Sequence, residues 1–151
     1  MQSFAHFTPT PQKIVAQKPK TISSKEKFEV IKTHCMQGAN MLRRLENFED
    51  EPLLQTAYDI ARWHHERWDG RGYPDGLKGN DIPISAQIVS LADVYDALTS
   101  ERCYKKAFSH ETAMRMILNG ECGAFNPLLL ECLTDIQAEL REKSQNIAVN
   151  R

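Results

Sequence analysis

No apolar run in this 151-residue chain approaches the ~20 residues needed to cross a bilayer, so a spanning helix is excluded and a soluble chain is expected. An excess of either charge is also missing: Lys and Arg number 19 against 20 Asp and Glu, a formal net charge of -1. Such a balance provides no overall basic field for nucleic acid or an anionic membrane, so any anionic ligand must be held by a local cluster. The four cysteines, Cys35, Cys103, Cys122 and Cys132, include no CxxC pair, and no secretory leader precedes them. They read as reduced, packed thiols of a cytoplasmic protein. Strand-like alternation and internal repeats are absent as well. At 41% hydrophobic residues the chain can still bury one continuous core, and one all-α domain is expected.

Residues 1–22 combine Pro9, Pro11 and Pro19 with Lys13, Lys18 and Lys20 and carry no apolar period, which predicts an irregular segment. From residue 23 the pattern is helical and is expected to continue to about 142, with a frayed tail over 143–151. Ser23 and Glu26 have capping-box spacing, and Phe28, Ile31, Cys35, Leu42 and Leu45 form one helical stripe. Pro52 opens a second helix that ends at His64 and His65. Between Asp69 and Pro83, Gly70, Gly72, Gly76 and Gly79 with Pro74 predict a loop, either ordered or mobile. Ile84 to Leu98 is apolar on nearly all sides, the composition of a central buried helix. Ser109 caps a further helix that stops at Gly120, and Asn126-Pro127 opens a last one running to Leu140.

The chemistry concentrates on three of these helices. A single histidine on an apolar face is usually a satisfied core residue, and adjacent ones such as His64 and His65 diverge by about 100° on a helix. The group points elsewhere. His34 lies at the edge of an apolar stripe, and Asp93 stands on a helix so apolar that its carboxylate needs a cation or donor to compensate it. Three imidazoles and a carboxylate suit a borderline divalent metal such as iron, manganese or zinc, provided that the helices converge.

The strings HHERWDGRGYPDGLKGNDIP at 64 to 83 and LADVYDALTSERCYKKAFS at 91 to 109 resemble the signature of HD-GYP domains. FEVIKTHCMQGANML at 28 to 42 is similar to that family's IKxHxxxG helix, and GAFNP at 123 to 127 to its GxxFDP, with Asn126 in place of the acid. The similarity spans roughly residues 22 to 140. It implies a helical bundle of about five helices with an ordered GYP loop, binding two or three metals, with iron or manganese favoured and zinc as an alternative. It implies hydrolysis of cyclic di-GMP to pGpG and sometimes to GMP. Carried over, His34, His64 and His65 match ligands of one metal and Asp93 a ligand of its neighbour, while Arg102 and Lys105 match the residues that hold the phosphates. The loop residues Asp69, Gly70, Gly72, Tyr73 and Pro74 match a segment associated with substrate handling, Tyr73 included, and with partners such as GGDEF domains.

One part of the family's pattern is missing. Its members carry a histidine and an HDxGK motif upstream of the IKxH helix; nothing in residues 1 to 27 matches, His6 being the one histidine there with Ala5 and Phe7 as neighbours, and no His-Asp pair occurs anywhere in the chain. Without the bridging aspartate a two-metal water is hard to assemble. Three explanations stand: truncation, degeneration into a form that binds nucleotide, a single metal or a partner with weak or no hydrolysis, or a missing half supplied by another chain. The second is preferred, with active hydrolysis as the alternative. Loss of apolar cover also predicts self-association into a dimer.

Overall fold

The computed structural model of the chain describes residues 24–45, 51–101 and 106–149. These residues form six α-helices and one short 3-10 turn at Gly79–Asp81, with no strand among them. The helices are α1 (Ser24–Arg43), α2 (Pro52–Trp63), α3 (Ile84–Thr99), α4 (His110–Leu118), α5 (Pro127–Asp135) and α6 (Gln137–Val149). Ser23 of the expected capping box, His6, Arg102, Cys103 and Lys105 lie outside the described residues.

α1 packs on α2, α2 on α3 and α3 on α4. The first of these contacts is made by small residues. Cys35 and Ala39 are fully buried, and a Cβ built on Gly38 would touch the Cβ of Ala61 at 3.4 Å, so small residues bring the two helices close together. The stripe expected from Phe28 and Ile31 is thereby narrowed: both are about half exposed, and the buried ridge of α1 runs through Cys35, Gly38 and Ala39 instead.

The main core lies at the other end, where Leu91 and Leu98 of α3 meet Ala113, Met114 and Ile117 of α4, with Phe125 and Leu133. Burial of such side chains contributes about 1.5–3 kcal/mol each. α4 starts as its sequence predicts, with Ser109 Oγ accepting the Thr112 N–H. Asn126 does more than cap α5. Its Oδ1 accepts from the Leu128 N–H while its Nδ2 donates to Gln87 Oε1, and Gln87 Nε2 donates to the Ile82 carbonyl. An aspartate at 126 could make the first bond but not the second.

Three expectations change. The last helix is divided at Ile136, where the Thr134 hydroxyl bonds back to the Leu130 carbonyl, a competitor of the helical ladder, and α6 stays helical to Val149 past the point where a tail was expected. α3 is not buried all round: Ile84 and Ile88 are 56% and 51% exposed, and Ile88 and Ala92 line an open apolar groove of about 370 Å³ against α5 and α6. Asp93 is likewise exposed rather than sealed in apolar surroundings.

Candidate metal centre

Close packing of α1 on α2 sets the site. His34 and Cys35 project from α1, His64 closes α2 and His65 follows in the turn. One donor atom from each of the four lies within 4.8 Å of the others. The His34 and His64 rings are 5.2 Å apart between centroids, His34 and His65 5.0 Å, and His64 and His65 4.2 Å. The divergence of adjacent residues is overcome because His65 has left the helix.

The hydrogen bonds determine what the rings can do. His34 Nδ1 lies 2.6 Å from the Ile31 carbonyl and His64 Nδ1 2.7 Å from the Ile60 carbonyl. A carbonyl only accepts, so each Nδ1 carries hydrogen, which leaves Nε2 as the nitrogen of each ring open to a cation. Those two Nε2 atoms stand 3.2 Å apart. As Nδ1–H tautomers neither donates to the other, and a shared cation satisfies both nitrogens. A backbone carbonyl on the far nitrogen is also how metal-binding histidines are oriented. The donor set therefore fits a metal ion.

His65 is held neutral, its pKa pushed down to about 4 by burial and then by the neighbouring His64 and His34. Tyr73 stacks on it, ring centroids 4.8 Å apart, and burial raises the phenol above its ordinary range. Lys32 lies over the Phe28 and Tyr73 rings at 4.8 and 5.7 Å. Asp93 does not join the four donors, but its charge acts on His65, Arg67 and Tyr73, so it borders the same site. Of the loop residues, Tyr73 alone touches the histidines through its ring. Asp69 accepts from the Arg71 N–H, and Gly70 takes a φ of 80° that favours glycine. Gly72 has no such φ and is needed for close approach instead.

Three residues that the sequence reading passed over hold this arrangement. Cys35 occupies an apolar-stripe position and so reads as packing. Glu66, 2% exposed, accepts the Asp75 and Gly76 N–H groups at 2.7 and 3.0 Å through Oε1, pinning the loop to the turn beside His65; its Oε2 is buried with no hydrogen-bond partner among the described residues. Arg67 donates to Ser90 Oγ at 2.6 Å and to the Glu66 carbonyl at 3.1 Å, with its guanidinium over Phe125. Burial lowers its pKa. The signal available for Glu66 and Arg67 was their place directly after the histidines.

Glu66→Ala is expected to cost about 3 kcal/mol, because two loop N–H groups lose a charged acceptor. Glu66→Gln retains an accepting oxygen and should cost about 1 kcal/mol. Urea denaturation of the two variants measures the difference, and equal losses would show that the carboxylate does not anchor the loop.

The loop's outer side is tied by Asp75, which accepts from Arg62 Nε and Nη2 at 2.7 and 2.9 Å and from Trp63 Nε1 at 2.7 Å. The Arg62 bond, ahead of that from Trp63, holds the Asp75 carboxyl below its ordinary value of 3.8. A depressed folded-state pKa means stability that is complete above the unfolded value and lost as pH falls through the folded one. Asp75→Asn should therefore lower the melting temperature at pH 7, and the gap from the parent chain should narrow below pH ~4. Thermal melts across that range test it; a constant gap contradicts the charge-dependent tie.

Comparison with known proteins identifies the family of the chain. Residues 6–124 match the HD domain family, so the match starts well before residue 22, where the sequence resemblance was expected to begin. A probable cyclic di-GMP phosphodiesterase of Vibrio cholerae is 44% identical over 108 residues, 70% of this chain and 24% of its own length. A cyclic di-GMP phosphodiesterase of Thermotoga maritima is 39% identical over 134 residues, 85% of this chain and 35% of its own length. A 3'3'-cGAMP-specific phosphodiesterase 2 of Vibrio cholerae is 36% identical over 121 residues, 80% of this chain and 22% of its own. The chain thus spans about a third or less of these relatives' length. No helix among the described residues is long and apolar enough to cross a membrane. The chain belongs to the HD domain family, as a domain of the HD-GYP type.

Proposed function

We propose that this chain acts in cyclic dinucleotide signalling as a metal-binding HD-GYP domain that holds cyclic di-GMP with weak or no hydrolysis. The observation that carries the metal reading is the pair of Nε2 atoms of His34 and His64, 3.2 Å apart with both Nδ1 atoms committed to carbonyls. His34, His64 and His65 are the ligands of a single divalent ion, iron or manganese in preference to zinc by family resemblance, and Asp93 faces the position of a neighbouring one. Lewis acidity toward a phosphate oxygen would come from an ion at that neighbouring position. Arg102 and Lys105 hold the phosphates, and Tyr73 closes the site beside His65.

The names of relatives such as those of Vibrio cholerae and Thermotoga maritima support the nucleotide class. The weak-hydrolysis reading rests on the ligands: the 151 residues contain no His-Asp pair, leaving Asp93 as the carboxylate that the resemblance assigns to the metals. Active hydrolysis is the alternative. The GYP loop is the surface offered to a GGDEF-type partner, and the groove beside Ile88 favours a dimer. Such a domain works in the cytoplasm.

Metal analysis of anaerobically purified protein, run beside calorimetric binding and turnover of cyclic di-GMP, tests this reading. One ion per chain, lost in His64→Ala, with nucleotide binding weakened by Arg102→Ala and no turnover, is the expected result. Two ions with turnover establish the hydrolase instead. No ion and no nucleotide binding overturn the reading.

A further inference from the structure

Resting on that metal reading, we infer that Cys35 is the fourth ligand, so that one thiolate and three imidazoles, from Cys35, His34, His64 and His65, form a closed, four-coordinate site joining α1 to α2. A fully buried cysteine is ordinarily an inert packing residue, and Cys35 is 0% exposed. Its direction says otherwise. The Cys35 Sγ lies 3.5 Å from His34 Nε2, which itself stands 3.2 Å from His64 Nε2. Zinc bonds of about 2.0–2.1 Å to nitrogen and about 2.3 Å to sulfur, arranged tetrahedrally, put donor atoms about 3.3 Å apart for a nitrogen pair and about 3.6 Å for nitrogen and sulfur. The two observed separations match these edges, and all four donors fall within 4.8 Å of one another.

Three elements converge to make the set. α1 brings a thiol and an imidazole, α2 ends on a second imidazole, and the turn that leaves α2 supplies the third. As the sulfur–metal bond forms, the thiol proton passes to solvent. Two consequences follow from the donor chemistry. A thiolate among three imidazoles shifts preference from manganese toward zinc. With four protein ligands no position remains for water, so the ion clamps α1 onto α2 and does not generate a nucleophile.

X-ray absorption at the zinc edge of the full, zinc-loaded chain tests the assignment directly. One sulfur at about 2.3 Å with the remaining ligands at about 2.0–2.1 Å is expected. Both Cys35→Ala and Cys35→Ser, the second preserving side-chain volume, should lose the sulfur, and zinc affinity should fall by roughly 100-fold or more, beyond the ~10–100-fold cost of losing an outer-shell partner. The cobalt-substituted parent chain should show a thiolate-to-cobalt charge-transfer band that both variants lack. Zinc held by nitrogen and oxygen alone, or a sulfur that persists in both variants, overturns the role of Cys35 while leaving the three-histidine site intact. Failure of the parent chain to bind zinc, iron or manganese overturns that site as well.

Discussion

Gly72→Ala is expected to destabilise the fold by about 4 kcal/mol or more, at the extreme end of single substitutions. A Cβ at this position would lie 2.4 Å from both the Arg67 nitrogen and the Glu66 Cα, and 2.6 Å from the Glu66 carbonyl carbon. All three are backbone atoms and cannot swing aside. Relief requires the loop to lift from the turn at residues 65 to 67, which breaks the Tyr73 N–H bond to the His65 carbonyl and strains the Glu66 anchor. Because that turn carries His65, the variant should also retain less metal. Gly70 provides the control. Its φ of 80° disfavours alanine, yet the nearest atom to a Cβ there is a Lys78 side-chain carbon at 3.4 Å, so Gly70→Ala should cost only about 1–2 kcal/mol. Urea denaturation of both variants decides the matter: a Gly70 variant as damaged as the Gly72 one would mean that conformational strain, not close approach, governs the loop.

The cost of His34→Ala is expected to depend on metal. Without metal the Nε2 atoms of His34 and His64 stand 3.2 Å apart with no ion between them, and His34 is exposed, so removing its ring should change stability little. With a divalent ion at a hundredfold excess over Kd the parent chain gains about 2.7 kcal/mol, and the variant, with its ligand set broken, should gain far less. Thermal melts of both proteins with chelator and with zinc measure the four values. Equal stabilisation of parent and variant by metal would place the ion elsewhere; no stabilisation of the parent would leave the close Nε2 pair without its cation.

Much of the helical frame was legible in the residues themselves. Pro52, Ser109 and Asn126 mark helix starts through local chemistry, needing no distant partner. The glycine and proline run after Asp69 marks the loop for the same reason. Local signals misled where neighbours decide the outcome. The apolar stretch at 84 to 98 reads as buried because composition cannot say which flank a helix turns outward, and Ile84, Ile88 and Asp93 face out. The division at Ile136 depends on a turn of backbone that apolar periodicity passes through unchanged.

The sequence by itself determined the all-helical class, the family and the types of donor available: histidine, cysteine and carboxylate at stated positions. Only the tertiary structure decided which donors meet. Spacing along a helix sets the angle at which a side chain leaves, but convergence depends on how closely two helices approach and on the exit of the chain from each. Here Gly38 against Ala61 brings α1 onto α2, and His65 gains its direction by leaving the helix. The same approach turns Cys35 from a stripe residue into a neighbour of three imidazoles and leaves Asp93 at the margin. It also gives Gly72 its reason: the backbone it lies against belongs to residues 66 and 67, whose closeness follows from the fold of the loop and not from any property of glycine in the chain.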